Sequence, residues 1–153
     1  MKLTKKAFSL VELLVAMAII AVLISIAAYG IQIVQRNARD LKRKKIVEDL
    51  ILTIHDIQTN HFMYPDNATK SESENSITFY IQGQEVAEYE VKGMDLQWFR
   101  AGTSGNECSD QGDFLSKRPS RDNVAIGMDF QNLLICARLE ASELGGYGYV
   151  VSL

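Results

Sequence analysis

The chain has 153 residues, 23% of them charged, and a net charge of −3, a size that fits one domain with a useful core and argues against two. The charge is unevenly placed: residues 64–153 hold seven basic and fourteen acidic side chains, a net of −7, against +2 for residues 1–34 and +2 for residues 35–63. An acidic C-terminal part repels a polyanion, so no nucleic-acid partner is expected.

Residues 1–7 form a short basic leader containing Lys2, Lys5 and Lys6. In residues 8–34 the ionisable side chains are Glu12 and Tyr29 alone. As a helix this run would be roughly 40 Å long, enough to cross a hydrocarbon core. Glu12 is its anomaly, because a carboxylate inside a membrane costs on the order of 3 kcal/mol and usually has a partner. No proline precedes Pro65 and Gly30 is the one glycine on the way, so one helix can run from about Phe8 to about Phe62.

The second half of that helix, residues 35–63, is patterned differently. Val47, Leu50, Ile54 and Ile57 form one apolar stripe, with Arg43, Glu48, Asp49, Asp56 and Gln58 available for the other face. The basic run of Arg36, Arg39, Lys42, Arg43, Lys44 and Lys45 reads as a solvated helix face, the usual role of such runs.

Tyr64-Pro65-Asp66-Asn67 closes the helix, and residues 68–76 read as a loop. Beyond them the period shifts towards two. Residues 77–81, 85–91 and 95–99 read as short strands in an antiparallel meander, separated by Gly83-Gln84 and Lys92-Gly93. Residues 100–123 form a long loop, residues 124–130 and 132–139 a hairpin, and residues 146–153 a last strand. The predicted class is α+β: a long N-terminal helix whose C-terminal half packs on a small antiparallel sheet. Cys108 and Cys136 both fall in this C-terminal domain, residues 64–153. If the domain lies outside the cytoplasm they form a disulfide; the alternative is two unrelated buried thiols.

Catalytic patterns are missing. His55 and His61 lack metal-ligand spacing and read as surface residues. Gly102-Thr103-Ser104-Gly105-Asn106 fails the nucleophile-elbow pattern at Asn106. Trp98 and Phe99 read as core or interface anchors, and Asn67-Ala68-Thr69 is too short a sequon to weigh. No enzyme, no cofactor and no metal are expected.

The segment Lys5-Lys6-Ala7-Phe8-Ser9-Leu10-Val11-Glu12 resembles the processing site of type IV prepilins and the related pseudopilins: a basic leader ending in a small residue, then Phe, Ser or Thr, an aliphatic pair and Glu. Ala7 stands where most members have Gly. The resemblance implies a pilin fold, recognition of Lys5, Lys6, Ala7, Phe8, Ser9 and Leu10 by a prepilin peptidase, cleavage between Ala7 and Phe8, and methylation of the new Phe8 amine. It further implies that Glu12 of an incoming subunit pairs with Phe8 of the preceding one and sets register in a filament. Its partners would be the peptidase, other pilin subunits, an inner-membrane assembly platform and, before assembly, membrane lipid. The N-terminus would be cytoplasmic in a single-pass inner-membrane protein that later joins a periplasmic or surface filament. The basic run beyond the apolar segment favours the opposite orientation; the leader motif overrides it. Many type IV pilins have a proline where this chain reads Ala27-Ala28-Tyr29-Gly30, which points to a minor pilin. A pseudopilin of a secretion or competence machine is the alternative within the family, and some pseudopilins hold calcium in a loop placed like the one with Asp110, Asp113 and Asp122. From another class, an ordinary signal peptide cut after Ala27 would yield a secreted or membrane-anchored binding domain.

Overall fold

The computed structural model describes residues 9–71, 74–102, 108, 119, 121–143 and 146–153. The helix α1 spans Leu10–His61. It stops one turn before Pro65, where Phe62 takes a left-handed conformation (φ 57°) and donates its N–H to the Gln58 carbonyl at 2.8 Å. That closes the last turn in the manner usually left to glycine. The chain divides into two compact units, Met1–Gln35 and Arg36–Leu153. In the first, every described residue is exposed.

In the second unit, Ile46, Val47, Leu50, Ile54 and Ile57 of α1 are buried in the main core. The expected stripe is therefore real, with Ile46 added to it. Seven strands complete the unit: β1 (Asn67–Lys70), β2 (Ser76–Ile81), β3 (Gln84–Glu90), β4 (Asp95–Gly102), β5 (Asn123–Asp129), β6 (Leu134–Glu143) and β7 (Gly146–Ser152). They form two sheets, one in the order β1-β2-β3 and one in the order β4-β5-β6-β7. The α+β layout of one long helix followed by sheet strands holds. Ile77 and Phe79 from the first sheet, and Leu96, Val124, Ile126, Met128 and Ile135 from the second, share the core with the helix stripe.

The strands differ from expectation in two places. Residues 67–70, expected as the last residue of the helix-closing turn and the start of the loop, pair antiparallel with β2 as a short polar edge strand. The meander also ends at β3. The hairpin β2–β3 forms, and its turn residues are Gln82 and Gly83, both with positive φ (52° and 80°), the conformation that matches strand twist. Asp66 Oδ2 accepts the Gln82 N–H at 2.7 Å. β4, however, pairs in parallel with β5.

Asn75 explains the departure. Its amide donates to the carbonyls of Val91 and Met94, both at 2.7 Å, and its Oδ1 accepts the Leu96 N–H at 2.6 Å. Its own carbonyl accepts the Val91 N–H. Backbone groups that could have continued a ladder from β3 to β4 are thereby occupied, and Gly93 (φ 79°) turns the chain away.

β5 is buried at every position from Val124 to Asp129, as a strand covered on both faces must be. Val124, Ile126 and Met128 face the main core, whereas Ala125 packs with Cys108, Cys136 and Leu134 in a second small cluster. Cys108 and Cys136 are joined in a disulfide with Cα atoms 5.6 Å apart. The bond holds Cys108 buried in that cluster.

Two measurements check these roles. Asn75→Ala removes three hydrogen bonds and leaves strand-end groups unpaired, so it lowers stability by about 2 kcal/mol in urea denaturation of the full chain in detergent. Reducing the disulfide before the same titration lowers stability by roughly 3.5 kcal/mol on the chain-entropy model.

Candidate functional site

The described chain begins at Ser9, so Lys5, Lys6, Ala7 and Phe8 lie outside the described residues. Ser9 itself opens a reciprocal cap. Glu12 Oε2 accepts the Ser9 N–H at 3.0 Å, Ser9 Oγ accepts the Glu12 N–H at 3.2 Å, and the Ser9 carbonyl accepts the Leu13 N–H at 3.3 Å. Ser-Leu-Val-Glu is thus a capping box, which satisfies backbone donors that a helix start leaves bare. The carboxylate also sits at the positive end of the helix dipole. The spacing of Ser9 and Glu12 carries this signal in the sequence, but their place in the resemblance draws attention to processing and register instead.

Beyond the cap, Leu14, Val15, Ala18, Ile19, Val22 and Leu23 line an open apolar surface on α1. Ser25 donates its hydroxyl to the Ala21 carbonyl at 2.8 Å, so the helix satisfies its own polar group, as lipid requires. By length and composition α1 is able to cross a membrane. Residues 2–28 match the family model of the prokaryotic N-terminal methylation motif. The chain carries the signature of type IV pilins and pseudopilins. No curated protein and no solved structure matched it. The matched motif overlaps the apolar start of α1, the stretch that is long and apolar enough to cross a membrane.

The basic run on α1 is the main correction. Its members do not share one solvated face. Arg43 is fully buried, and Asp40 and Glu140 are 6% and 3% exposed. Arg43 Nη1 donates to Asp40 Oδ1 at 2.8 Å and to Glu140 Oε1 at 3.1 Å. Its Nε and Nη2 reach the Asn123 carbonyl at 3.1 and 2.9 Å, and Nη2 also reaches the Arg121 carbonyl at 3.0 Å. Arg39 grips Glu140 with two bonds, Nε to Oε1 at 2.7 Å and Nη2 to Oε2 at 2.8 Å. Asp40 Oδ1 in addition accepts the Glu140 backbone N–H at 2.7 Å. Lys44 lies over the Tyr149 ring, 5.2 Å from its centre, a cation–π distance. Arg36, Lys42 and Lys45 are exposed, as the sequence led one to expect.

Among the described residues, the other candidates for chemistry do not gather. His55 and His61 are exposed on α1, and Phe99 is half-buried against the main core. Asp110 and Asp113 lie outside the described residues, and among the described residues no group of three or more His, Cys, Asp or Glu side chains could hold a metal. An open groove of about 700 Å³ between α1 and β3 is lined by Lys42, Lys45, Asp49, Glu88, Glu90 and Lys92, charges of both signs that select no ion. Tyr89 borders it, and burial, aided by Asp49, pushes its phenol up to about 12.

The hydrogen bond from Arg39, opposed by burial and reinforced by Arg43, holds the Glu140 carboxyl below its ordinary value of 4.5. A carboxylate so lowered adds stability that is complete above the ordinary value and is lost as the pH falls through the folded-state value. Acid titration followed by urea denaturation therefore shows stability dropping below about pH 4.5, and Glu140→Gln removes that group's share of the slope.

Proposed function

We propose that this chain is a minor type IV pilin-like subunit, cut between Ala7 and Phe8 by prepilin peptidase and methylated at Phe8. It is held in the inner membrane with a cytoplasmic N-terminus and then assembled into a pilus. The observation that carries this reading is the methylation motif over residues 2–28, running directly into a helix segment whose apolar side chains are exposed on every side. Such a surface is stable in lipid or against other helices and costly in water. Before assembly, membrane lipid covers it; afterwards, other pilin subunits do, delivered through an inner-membrane platform.

Glu12 is the assembly residue. Cleavage creates an amine at Phe8 that methylation leaves cationic, and the Phe8 amine of a preceding subunit then faces the Glu12 carboxylate of the incoming one. A carboxylate entering an apolar filament interior without that partner is penalised, so the pair sets the axial register. The absence of a proline near Gly30 favours a minor over a major subunit, and a Cβ at Gly30 would meet no heavy atom within 4 Å of the chain itself. The glycine is therefore not dictated by packing inside one copy.

Intact mass of the membrane-extracted protein tests the processing. Loss of residues 1–7 with gain of one methyl group is expected; loss of residues 1–27 would instead show an ordinary signal peptide. In the Glu12→Ala variant the same mature mass appears, while the amount in sheared surface filaments falls about a hundredfold, equivalent to roughly 3 kcal/mol. Immunogold labelling of those filaments separates a pilus from a periplasmic pseudopilus.

A further inference from the structure

Within the second unit, α1 is attached to the sheets by two kinds of contact that occupy different stretches. Residues 46–57 bury five aliphatic side chains, Ile46, Val47, Leu50, Ile54 and Ile57. In residues 36–45 the buried side chains are Asp40 and Arg43, both charged, and Leu41, the one large aliphatic residue there, is 66% exposed. The two attachments behave differently when strained. Apolar burial is non-directional and survives small slides, whereas hydrogen-bonded ion pairs hold in one geometry. A partial displacement of the ionic stretch leaves charges buried without their partners, which is worse than either full contact or full release. Full release delivers Arg39, Asp40, Arg43 and Glu140 to water, and their hydration offsets the lost pairs. Releasing residues 46–57 instead exposes aliphatic surface with no such compensation.

We propose that residues 36–45 form a releasable clasp, which lifts from the sheet as a unit while residues 46–57 stay docked. Glu140 is its catch. The carboxylate holds Arg39 by two bonds and Arg43 by a third, and its backbone N–H is held by Asp40. The seat is completed by the carbonyls of Arg121, just before β5, and Asn123, its first residue, and by Tyr149 in the middle of β7 under Lys44. The clasp lies wholly within the second unit and opens with or without filament assembly.

Amide hydrogen exchange on the full chain in detergent micelles, resolved by peptide mass spectrometry, reads both stretches at once. In the wild-type chain, residues 36–45 exchange about tenfold or more faster than residues 46–57, the sign of a separate opening unit. Glu140→Gln speeds exchange in residues 36–45 by a further factor of about ten or more and leaves residues 46–57 unchanged. Arg39→Gln, which removes only the partly exposed pair, gives a smaller acceleration confined to the same stretch and serves alone if Glu140→Gln does not fold. Equal exchange of the two stretches in the wild-type chain would overturn the clasp. So would acceleration of both stretches together in either variant, because the helix would then be leaving the sheet as one piece.

Discussion

Arg43 has no surface left to water, and a guanidinium in that position must find a partner for each of its donors or be costly to bury. It finds them on three pieces of chain far apart in sequence: Asp40 one turn earlier on α1, the carbonyls of residues 121 and 123 where β5 begins, and Glu140 near the end of β6. Satisfying one side chain thus fixes where the helix lies across the second sheet. The aliphatic stripe beyond it supplies attraction but little direction. Ile46 to Ile57 could slide by a fraction of a turn and remain buried; Arg43 could not. No buried side-chain nitrogen or oxygen among the described residues lacks a partner, which is the condition under which buried charge adds definition to a fold without undoing it.

The second constraint is the parallel pairing of β4 with β5. A parallel pair cannot be joined by a tight hairpin turn, and β4 and β5 are accordingly separated in sequence by residues 103–122. The disulfide then ties Cys108, which lies between β4 and β5 in the chain, to the start of β6 at Cys136. Asn75 and Cys108 therefore act at opposite ends of one topological choice. The first diverts β4 from the sheet it would have extended, and the second bonds a residue between β4 and β5 to β6.

Much of this layout is legible in the sequence, and what escapes has a common cause. The stripe of Val47, Leu50, Ile54 and Ile57 is periodic and local, and so is the β2–β3 hairpin around Gly83. The Ser9–Glu12 cap is equally local and open to recognition from its spacing. Arg39 and Arg43, by contrast, look like part of a solvated run because Glu140 stands about a hundred residues away, and no window joins them. β1 escapes for a related reason. Asn-Ala-Thr-Lys is polar and four residues long, and only pairing with β2 makes it a strand. The parallel β4 escapes because a side-chain amide, with no periodic signature, decides it.

The capping box gives Glu12 a prior engagement. Its carboxylate is already bound to the Ser9 backbone at the point where a cation from another chain would approach. An ammonium from another chain would share the carboxylate with the cap, which takes Oε2, because a carboxylate accepts through both of its oxygens. The firmness of the first helical turn and the position of the charge are therefore linked. Whatever draws the carboxylate outward loosens the start of the helix by the same movement.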